Sequence, residues 1–244
     1  MNIANKTVLI TGANRGIGRA LVNEALRRGA KRVHAGTRSE LQIADQRVTP
    51  LALDVTSASQ IQRAVDQVDT LDVLINNAGI ALYDDLISSD AIEQQLVVNF
   101  FGPLNVARAF LPLLRRSKGA IVNNLSLVAL APLPVIPGYS ISKAAASNMT
   151  QSLRALLAGQ GVTVHAVFLG PIDTDMNRGF DIPKASTESA AVGIFDGLEK
   201  GDEDIFPDPA SRSIADGWRA GVAKALEGQF AAFVRERQHA SIDR

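Results

Sequence analysis

The chain has 244 residues, of which 46% are hydrophobic and 20% are charged, a composition typical of a globular protein with one sizeable core. Its 25 basic and 25 acidic side chains balance, which argues against nucleic acid or an anionic membrane as the main partner. The absence of cysteine excludes disulfides, thiolate nucleophiles and cysteine-ligated metals.

Neither a leader peptide nor a membrane segment is expected from the sequence. The first residues, MNIANKTVLITG, lack the apolar region of a signal peptide. The longest uncharged run, residues 119–142, contains three prolines and two adjacent asparagines, which do not suit a membrane helix. We therefore expect a cytoplasmic protein.

Short β-branched runs alternate with helical patterns along the chain. Strands are predicted at residues 7–11, 32–37, 48–55, 72–79, 119–126, 162–169 and 204–206. Helices are predicted from residue 17 to the glycine at position 29, and at residues 57–68, 90–114, 139–158, 187–199 and 211–237. Gly102 and Pro103 should kink the third of these helices. This alternation predicts a single-domain, doubly wound α/β fold of the Rossmann type, with a parallel sheet of about seven strands.

The segment TGANRGIG, residues 11–18, follows the first predicted strand and opens the first predicted helix. Glycines at positions 12, 16 and 18 allow a tight turn and a close approach of the backbone to a pyrophosphate at the helix N-terminus. The spacing is GxxxGxG, and a plain strand-to-helix turn is the alternative interpretation. Its place in the first βα turn favours a dinucleotide site.

Tyr139 and Lys143 stand four residues apart at the start of an alanine-rich helix, so their side chains share one face. A phenol beside an ammonium can form a proton-transfer pair, and a solvated helix face is the alternative. Other chemistries have no anchor, because the chain lacks GxSxG and GxxxxGK[ST] motifs and its three histidines are far apart. We expect no metal site.

Several motifs together resemble the classical short-chain dehydrogenases/reductases in order and spacing, over about residues 5–176. These motifs are the glycine turn, NNAG at residues 76–79, Asn99, Ser126 and the Tyr139–Lys143 pair. The resemblance implies that residues 1–176 form the cofactor-binding and catalytic core. Residues 177–244 would then form a substrate lid and C-terminal helices.

The resemblance also implies catalytic roles. Tyr139 would exchange a proton with the substrate oxygen, Ser126 would polarise the carbonyl, and Asn99 would hold a water in the proton relay. Lys143 would bind the nicotinamide ribose. Together with the oxidised nicotinamide, Lys143 would lower the pKa of the phenol from near 10 to about 7, which takes roughly 4 kcal/mol.

A set of cofactor contacts follows from the same resemblance. Asp54 and Val55 resemble the pair that contacts the adenine in the family, although an Asp beside Thr56 could equally cap a helix. The resemblance also places NNAG against the adenosine ribose and Thr174 against the nicotinamide carboxamide. Leu169 stands where the family usually has proline. The implied cofactor-binding residues are Gly12, Asn14, Arg15, Gly16, Ile17, Gly18, Thr37, Arg38, Asp54, Val55, Asn77, Ala78, Gly79, Tyr139, Lys143, Gly170, Pro171, Ile172 and Thr174.

The predicted cofactor is NADP(H). A fold of this type that selects NAD places a carboxylate at the end of the second strand, about 20 residues beyond the glycine turn. That place falls at Thr37, which is followed by Arg38, so no carboxylate repels a 2′-phosphate and a guanidinium can bind it. Arg15 is a second cation near the same corner, and the family uses basic residues at both places when it selects NADP(H).

Residues 127–138 and 176–183 are expected to frame a substrate pocket above the nicotinamide, although ordinary loop packing is an equal alternative for any single residue. The expected pocket residues are Leu127, Val128, Leu133, Val135, Met176, Phe180 and Ile182. Their apolar character predicts a hydrophobic ketone or aldehyde, interconverted with its alcohol. The alternatives are a 3-oxoacyl-thioester reductase and a non-catalytic, cofactor-sensing regulator.

Assembly into a homodimer or homotetramer is expected through the helix at residues 139–158. The family commonly pairs this helix and the preceding long one across a two-fold axis. Ala144, Ala145, Ala146 and Ser147 are small side chains that would permit close contact.

Overall fold

Seven parallel strands form one sheet in this computed structural model, which describes residues 1–87 and 89–242. The strands are β1 (Thr7–Thr11), β2 (Arg32–Thr37), β3 (Val48–Ala52), β4 (Val73–Asn76), β5 (Ala120–Asn124), β6 (Thr163–Val167) and β7 (Asp204–Ile205). Their order is β3-β2-β1-β4-β5-β6-β7, so the chain winds outward in both directions from β1. The predicted fold class and strand number are confirmed.

Helices cover both faces of the sheet. They are α1 (Gly16–Arg27), α2 (Ala58–Asp66), α3 (Ser89–Leu96), α4 (Gly102–Ser117), α5 (Pro137–Leu157), α6 (Thr187–Lys200), α7 (Pro209–Arg219) and α8 (Val222–Ile242). Neighbouring residues of β1 point to opposite faces, as strand geometry requires. Ile10 packs in the core that contains Phe195 of α6, and Leu9 packs in the core that contains Phe110 of α4.

β3 is an edge strand, and this explains how it can contain a proline. Pro50 lies beside Ala35 of β2, and within residues 1–87 and 89–242 no strand lies on its other side. A sheet edge tolerates proline because one row of its N–H groups needs no strand partner. β3 ends at Ala52, earlier than predicted, and the chain then continues through Asp54 and Val55 towards the site described below.

The long helix predicted at residues 90–114 is interrupted by a π-helical turn, Val97–Phe101, which lies immediately before the expected kink. A Cβ on Gly102 would lie 2.7 Å from Cγ2 of Val55, so this glycine lets the helix approach the chain beyond β3. π-helical turns are rare and occur frequently at functional sites. This turn carries Asn99.

The stretch Ser89–Ser117, which joins α3, the π-helical turn and α4, is long and apolar enough to cross a membrane by length and composition alone. Its residues Phe110 and Leu114 are fully buried among side chains of the sheet and of α2. Packing in the core accounts for these buried apolar residues, whereas Val97 and Phe101 of the same stretch are exposed.

The single helix predicted at residues 211–237 is instead two helices, α7 and α8, separated by residues 220 and 221. α7 begins earlier than predicted because Asp208 caps it. The Asp208 carboxylate accepts from the backbone N–H of Ser211 at 3.0 Å, and the Ser211 hydroxyl accepts from the backbone N–H of Asp208 at 3.2 Å.

A cluster of charged side chains joins α8 to α5. Arg154 of α5 forms ion pairs with Asp204 at 2.9 Å and with Glu227 of α8. Lys224 of α8 binds Asp204 at 2.8 Å and Glu227 at 3.0 Å. The side chains of Arg154, Asp204 and Glu227 are 12%, 4% and 10% exposed, so the ion pairs lie largely out of water.

The outer face of α5 differs from the one predicted. Ala144 is exposed and Ala145 is half-buried, in agreement with a role at the surface. Ala146 and Ser147 are buried and face inward, so the prediction that they are available for contact with another subunit is wrong. The helical period turns these two positions towards the sheet.

Candidate active site

The predicted glycine turn connects β1 to α1 in a conformation that excludes side chains. Gly12 and Gly16 have φ angles of +66° and +51°, which favour glycine. A Cβ on Gly12 would lie 2.9 Å from Cα of Ala78, and a Cβ on Gly18 would lie 2.0 Å from the carbonyl oxygen of Gly12. A bare backbone at the N-terminus of α1 fits the pyrophosphate of a dinucleotide.

The NNAG loop after β4 is fixed against this turn. The hydroxyl of Thr11 accepts from the N–H groups of Asn77 and Ala78 at 2.9 and 3.0 Å. In return, the Asn77 amide donates to the carbonyl oxygens of Thr11 and Gly12 at 3.0 and 3.2 Å. The two segments therefore form one rigid wall.

A cavity of about 420 Å³ opens beside this wall. The predicted cofactor residues that line it are Gly12, Asn14, Arg15, Gly16, Ile17, Gly18, Thr37, Arg38, Asp54, Val55, Asn77, Ala78, Gly79 and Thr174. The other residues that line it are Met176, which was predicted for the substrate pocket, and Ser39, Leu53, Ile80, Val98 and Asp175, which were not predicted from the sequence. Of the other predicted contacts, Gly170, Pro171, Ile172 and Tyr139 line a second cavity, described below.

The end of β2 has the character expected for a 2′-phosphate site. Thr37 is buried, and its hydroxyl donates to the carbonyl oxygen of Ser39 at 3.0 Å. Arg38 is next along the cavity wall. Burial acts to raise the pKa of the nearby Asp54 carboxyl, but hydrogen bonds from Thr56 and the charge of Arg38 outweigh burial and lower this pKa.

Arg15 is engaged in a contact that the sequence analysis did not predict. Its guanidinium forms an ion pair with Asp175 at 2.8 Å, across the cavity from the glycine turn to the loop after β6. Asp175 also pairs with Arg178. A phosphate that binds Arg15 must therefore compete with a carboxylate.

Tyr139 lies in the first turn of α5, with its hydroxyl hydrogen-bonded to the side chain of Ser126. Burial raises the pKa of Tyr139 to about 12, and the bond with Ser126 opposes this rise. The lowered pKa that the resemblance implied requires the oxidised nicotinamide as well as Lys143; burial, the largest influence from the protein itself, acts in the opposite direction. The phenol keeps its proton at neutral pH, the form that can donate to a carbonyl oxygen.

Lys143 is buried beside the Tyr139 ring. Its ammonium lies 5.7 Å from the ring centroid and donates to the carbonyl oxygen of Asn124 at 2.8 Å. A Cβ on Gly79 would lie 3.7 Å from Nζ, which places the ammonium next to the NNAG wall of the cavity. Burial lowers the pKa of Lys143 to about 8.

Asn99 and Ser126 are held in place by the backbone around them. Asn99 is buried, and its amide exchanges two bonds with Ile80, at 2.9 and 2.8 Å, and donates to the hydroxyl of Ser142 at 2.9 Å. Ser126 caps a short 3₁₀ turn, with its hydroxyl accepting from the N–H of Val128 at 3.4 Å. Both side chains are thereby oriented around α5.

A second cavity, of about 290 Å³, has Tyr139 and Ser126 in its wall. The predicted pocket residues that line it are Leu127, Val128, Leu133, Met176, Phe180 and Ile182. Val135 does not line it and is 52% exposed, and Ile136 takes its place. The reason is a turn in which the N–H of Ile136 bonds to the carbonyl oxygen of Leu133 at 3.0 Å, so that Val135 points outward.

Tyr83, the other tyrosine of the chain, also lines the second cavity and was missed from the sequence. Its ring stacks on Phe180 with centroids 6.4 Å apart, so the aromatic pair joins the loop after β4 to the loop after β6.

Within the described parts of the chain, no charged side chain lines this cavity, and no group of three or more potential metal ligands is found.

The two cavities are adjacent, since Ile17, Thr174 and Met176 line both. A dinucleotide cradle beside an apolar cavity that contains a tyrosine and a serine defines a nucleotide-dependent oxidoreductase site. Residues 6–184 match the family described as short chain dehydrogenase. The chain belongs to this family of oxidoreductases.

Similarity to known members extends over most of the chain. Short chain dehydrogenase pigC of Monascus ruber is 33% identical over 74% of this chain and 67% of that protein. Estradiol 17-beta-dehydrogenase 2 of Rattus norvegicus is 32% identical over 71% of this chain but only 50% of that protein.

Solved structures show the same relationship. A short chain dehydrogenase from Burkholderia cenocepacia, in complex with NADP, is 37% identical with a TM-score of 0.86, covering 94% of this chain and 98% of that one. ElxO with NADP bound is 26% identical with a TM-score of 0.72, covering 79% and 90%.

Proposed function

We propose that this protein is an NADP(H)-dependent carbonyl reductase, which interconverts a neutral, hydrophobic ketone or aldehyde and its alcohol. One observation carries the proposal. The dinucleotide cavity and the apolar cavity share a wall formed by Ile17, Thr174 and Met176, and Ser126 and Tyr139 line the apolar cavity. A carbonyl group bound there would have both hydroxyls within its reach and would lie next to the cavity that would hold the cofactor.

In the proposed reaction, bound NADPH supplies the hydride that the carbonyl carbon accepts. Ser126 donates a hydrogen bond that orients the carbonyl oxygen. As negative charge develops on that oxygen, it takes the proton of Tyr139, and the phenol O–H bond breaks. The raised pKa keeps Tyr139 protonated beforehand, and the ammonium of Lys143 near its ring stabilises the tyrosinate that remains.

We also propose a preference for NADPH over NADH. Thr37 leaves no carboxylate at the end of β2, and Arg38 lies on the cavity wall with a guanidinium suited to a phosphate. The presence of NADP in the related Burkholderia cenocepacia and ElxO structures supports this choice.

For location and assembly, we propose a cytoplasmic homodimer or homotetramer. Phe101, immediately before α4, is 48% exposed, and Ile141, on the outer face of α5, is 44% exposed. These exposed apolar side chains support a contact between subunits at α4 and α5.

The test is an NADPH-fluorescence assay with a panel of aryl and alkyl ketones, a charged keto acid, a polyhydroxylated sugar and a 3-oxoacyl thioester. Turnover of the hydrophobic ketones with NADPH is the expected result. A thioester as the preferred substrate would favour an acyl-thioester reductase. Cofactor binding without turnover of any panel member would favour a non-catalytic sensor.

A further inference from the structure

Tyr139 has a fixed neighbour in the chain that takes no part in the proposed chemistry. The N–H of Gly138 donates to both carboxylate oxygens of Asp84, at 3.2 and 3.0 Å, over a separation of 54 residues. This N–H belongs to the first turn of α5, where no intrahelical acceptor exists. A carboxylate at that position also interacts favourably with the helix dipole.

Gln95 of α3 holds the Asp84 carboxylate from the other side. It is fully buried, and both ends of its amide are used. Its oxygen accepts from the N–H of Leu82 at 2.9 Å, and its nitrogen lies 3.4 Å from Oδ2 of Asp84. The loop after β4 is thus connected to α3 and to α5 by one pair of side chains.

The connection through Asp84 and Gln95 resembles a second connection, through Asn99, that lies one helical turn away. Asn99 joins the same loop, at Ile80, to Ser142 of α5. Gln95 lies four residues before Asn99, and Gly138 lies four residues before Ser142, so the two connections run parallel. Tyr139 lies between them.

Gly138 fits this arrangement closely. A Cβ at position 138 would lie 2.8 Å from Oδ2 of Asp84 and 2.8 Å from Nε2 of Gln95. A side chain there would have to displace one of the two groups. The absence of a side chain is what allows the carboxylate to reach the backbone.

From these contacts we infer that Asp84 and Gln95 are positioning residues, which fix the first turn of α5 so that the Tyr139 hydroxyl meets the substrate oxygen. The inference rests on the proposed carbonyl reduction. Tyr83 immediately precedes Asp84 and lines the substrate cavity, so the same carboxylate also fixes a wall of that cavity relative to the proton donor.

Three substitutions in the full-length protein test the inference. Asp84→Ala removes the hydrogen bonds of the carboxylate with Gly138 and with Gln95. It should lower kcat about ten- to hundredfold, because a misplaced proton donor slows the reaction and leaves the affinity for the cofactor unchanged. Asp84→Asn retains an oxygen that can serve Gly138 and Gln95, and should stay within about threefold of wild type. The matched control is Asp85→Ala, because the carboxylate of the exposed Asp85 accepts from the N–H of Ile87, in its own loop, at 3.0 Å.

The Kd for NADPH, measured by fluorescence, should stay within about twofold of wild type in all three variants. Wild-type kcat in Asp84→Ala, or a loss in Asp84→Asn as large as in Asp84→Ala, would overturn the inference. An equal loss of kcat and of NADPH affinity in Asp84→Ala would also overturn it, since that pattern indicates general disruption of the site.

A second substitution covers the case in which Asp84→Ala does not fold. Gly138→Ala, made alone, should lower kcat by pushing Asp84 and Gln95 apart. Where Asp84→Ala does fold, adding Gly138→Ala to it should cost at most a few-fold more. Fully additive effects, or a Gly138→Ala enzyme as fast as wild type, would contradict a shared contact.

Amide hydrogen exchange on the cofactor-free protein separates this inference from the proposed function. The amides of residues 138–142 should exchange faster in Asp84→Ala than in wild type or Asp84→Asn. If wild type reduces no carbonyl, the proposed reduction fails while exchange still decides whether Asp84 fixes the first turn. If wild type turns over and neither exchange nor kcat responds to Asp84→Ala, only the inference fails.

Discussion

Replacing Arg38 by glutamine tests how this protein distinguishes NADPH from NADH. No ion pair of Arg38 is found within residues 1–87 and 89–242, so its guanidinium can bind a phosphate without first leaving a carboxylate. Charge-assisted hydrogen bonds contribute about 1.5–3 kcal/mol, so Arg38→Gln should weaken NADPH binding roughly ten- to hundredfold. Binding of NADH, which lacks the phosphate, should change by less than about twofold.

Arg15→Gln is the variant to compare with Arg38→Gln, because Arg15 already forms an ion pair with a carboxylate of the protein. Its ion pair with Asp175 must break before it can bind a phosphate. The two side chains are 72% and 47% exposed, and an exposed pair of this kind is worth about 0–1 kcal/mol. The loss of NADPH affinity in Arg15→Gln should therefore be smaller than in Arg38→Gln, by a factor of up to about five.

Asp175→Asn should strengthen NADPH binding, whereas the two arginine substitutions should weaken it. It releases Arg15 and removes a negative charge from the cavity wall, so NADPH should bind up to about fivefold more tightly. The assay is titration of NADPH and NADH fluorescence at low and high salt. Equal losses for the two cofactors in Arg38→Gln, or weaker NADPH binding in Asp175→Asn, would refute this assignment of charges.

The remaining predictions concern catalysis, pH, cofactor choice and assembly. Tyr139→Phe should lose kcat by several orders of magnitude in steady-state assays while NADPH affinity is retained, and more than a tenth of wild-type turnover would contradict the mechanism. Burial lowers the pKa of Lys143 to about 8, so the positive charge of this side chain is present below that pH and lost above it. The affinity for NADPH should therefore weaken as pH rises through about 8, and the Lys143→Met variant should not show this pH dependence. Thr37→Asp combined with Arg38→Leu should make kcat/KM higher with NADH than with NADPH. Light scattering at micromolar concentration should show a dimer or tetramer, and Ile141→Asp should shift it towards monomer.

The succession of strands along the chain and the main motifs could be predicted because they follow from local sequence. TVLIT and DVLIN are short apolar runs bounded by turn residues, a pattern that favours buried strands. The glycine positions in the first turn were readable for the same reason, since the backbone geometry excludes side chains at Gly12 and Gly18.

Contacts between distant segments could not be read from the sequence. Nothing in the local pattern places Asp175 against Arg15, because the ion pair spans 160 residues. Gln95 gave one usable signal, a polar side chain four positions before Asn99, but the loop that holds its partners Leu82 and Asp84 gives no matching pattern. Val135 and Ile136 are equally apolar, and only the turn at Leu133 decides which one faces the cavity.

The pKa of Tyr139 shows a similar limit. The spacing of Tyr139 and Lys143 correctly places both on α5, but spacing does not fix where a long side chain ends. The Lys143 ammonium bonds to the carbonyl oxygen of Asn124 and leaves the phenol with Ser126. Burial therefore raises the pKa of the Tyr139 phenol.

The ionic cluster between α5 and α8 has a consequence for synthesis on the ribosome. Arg154 is on the same helix as Tyr139, but its buried carboxylate partners, Asp204 and Glu227, are translated much later. Until Glu227 leaves the exit tunnel, a nascent chain that has already formed α5 lacks the ion pair between Arg154 and Glu227 and the packing of α8 against α5. The last turns of the catalytic helix should therefore become stable only at the end of translation, whereas β1, α1 and the glycine turn can pack earlier.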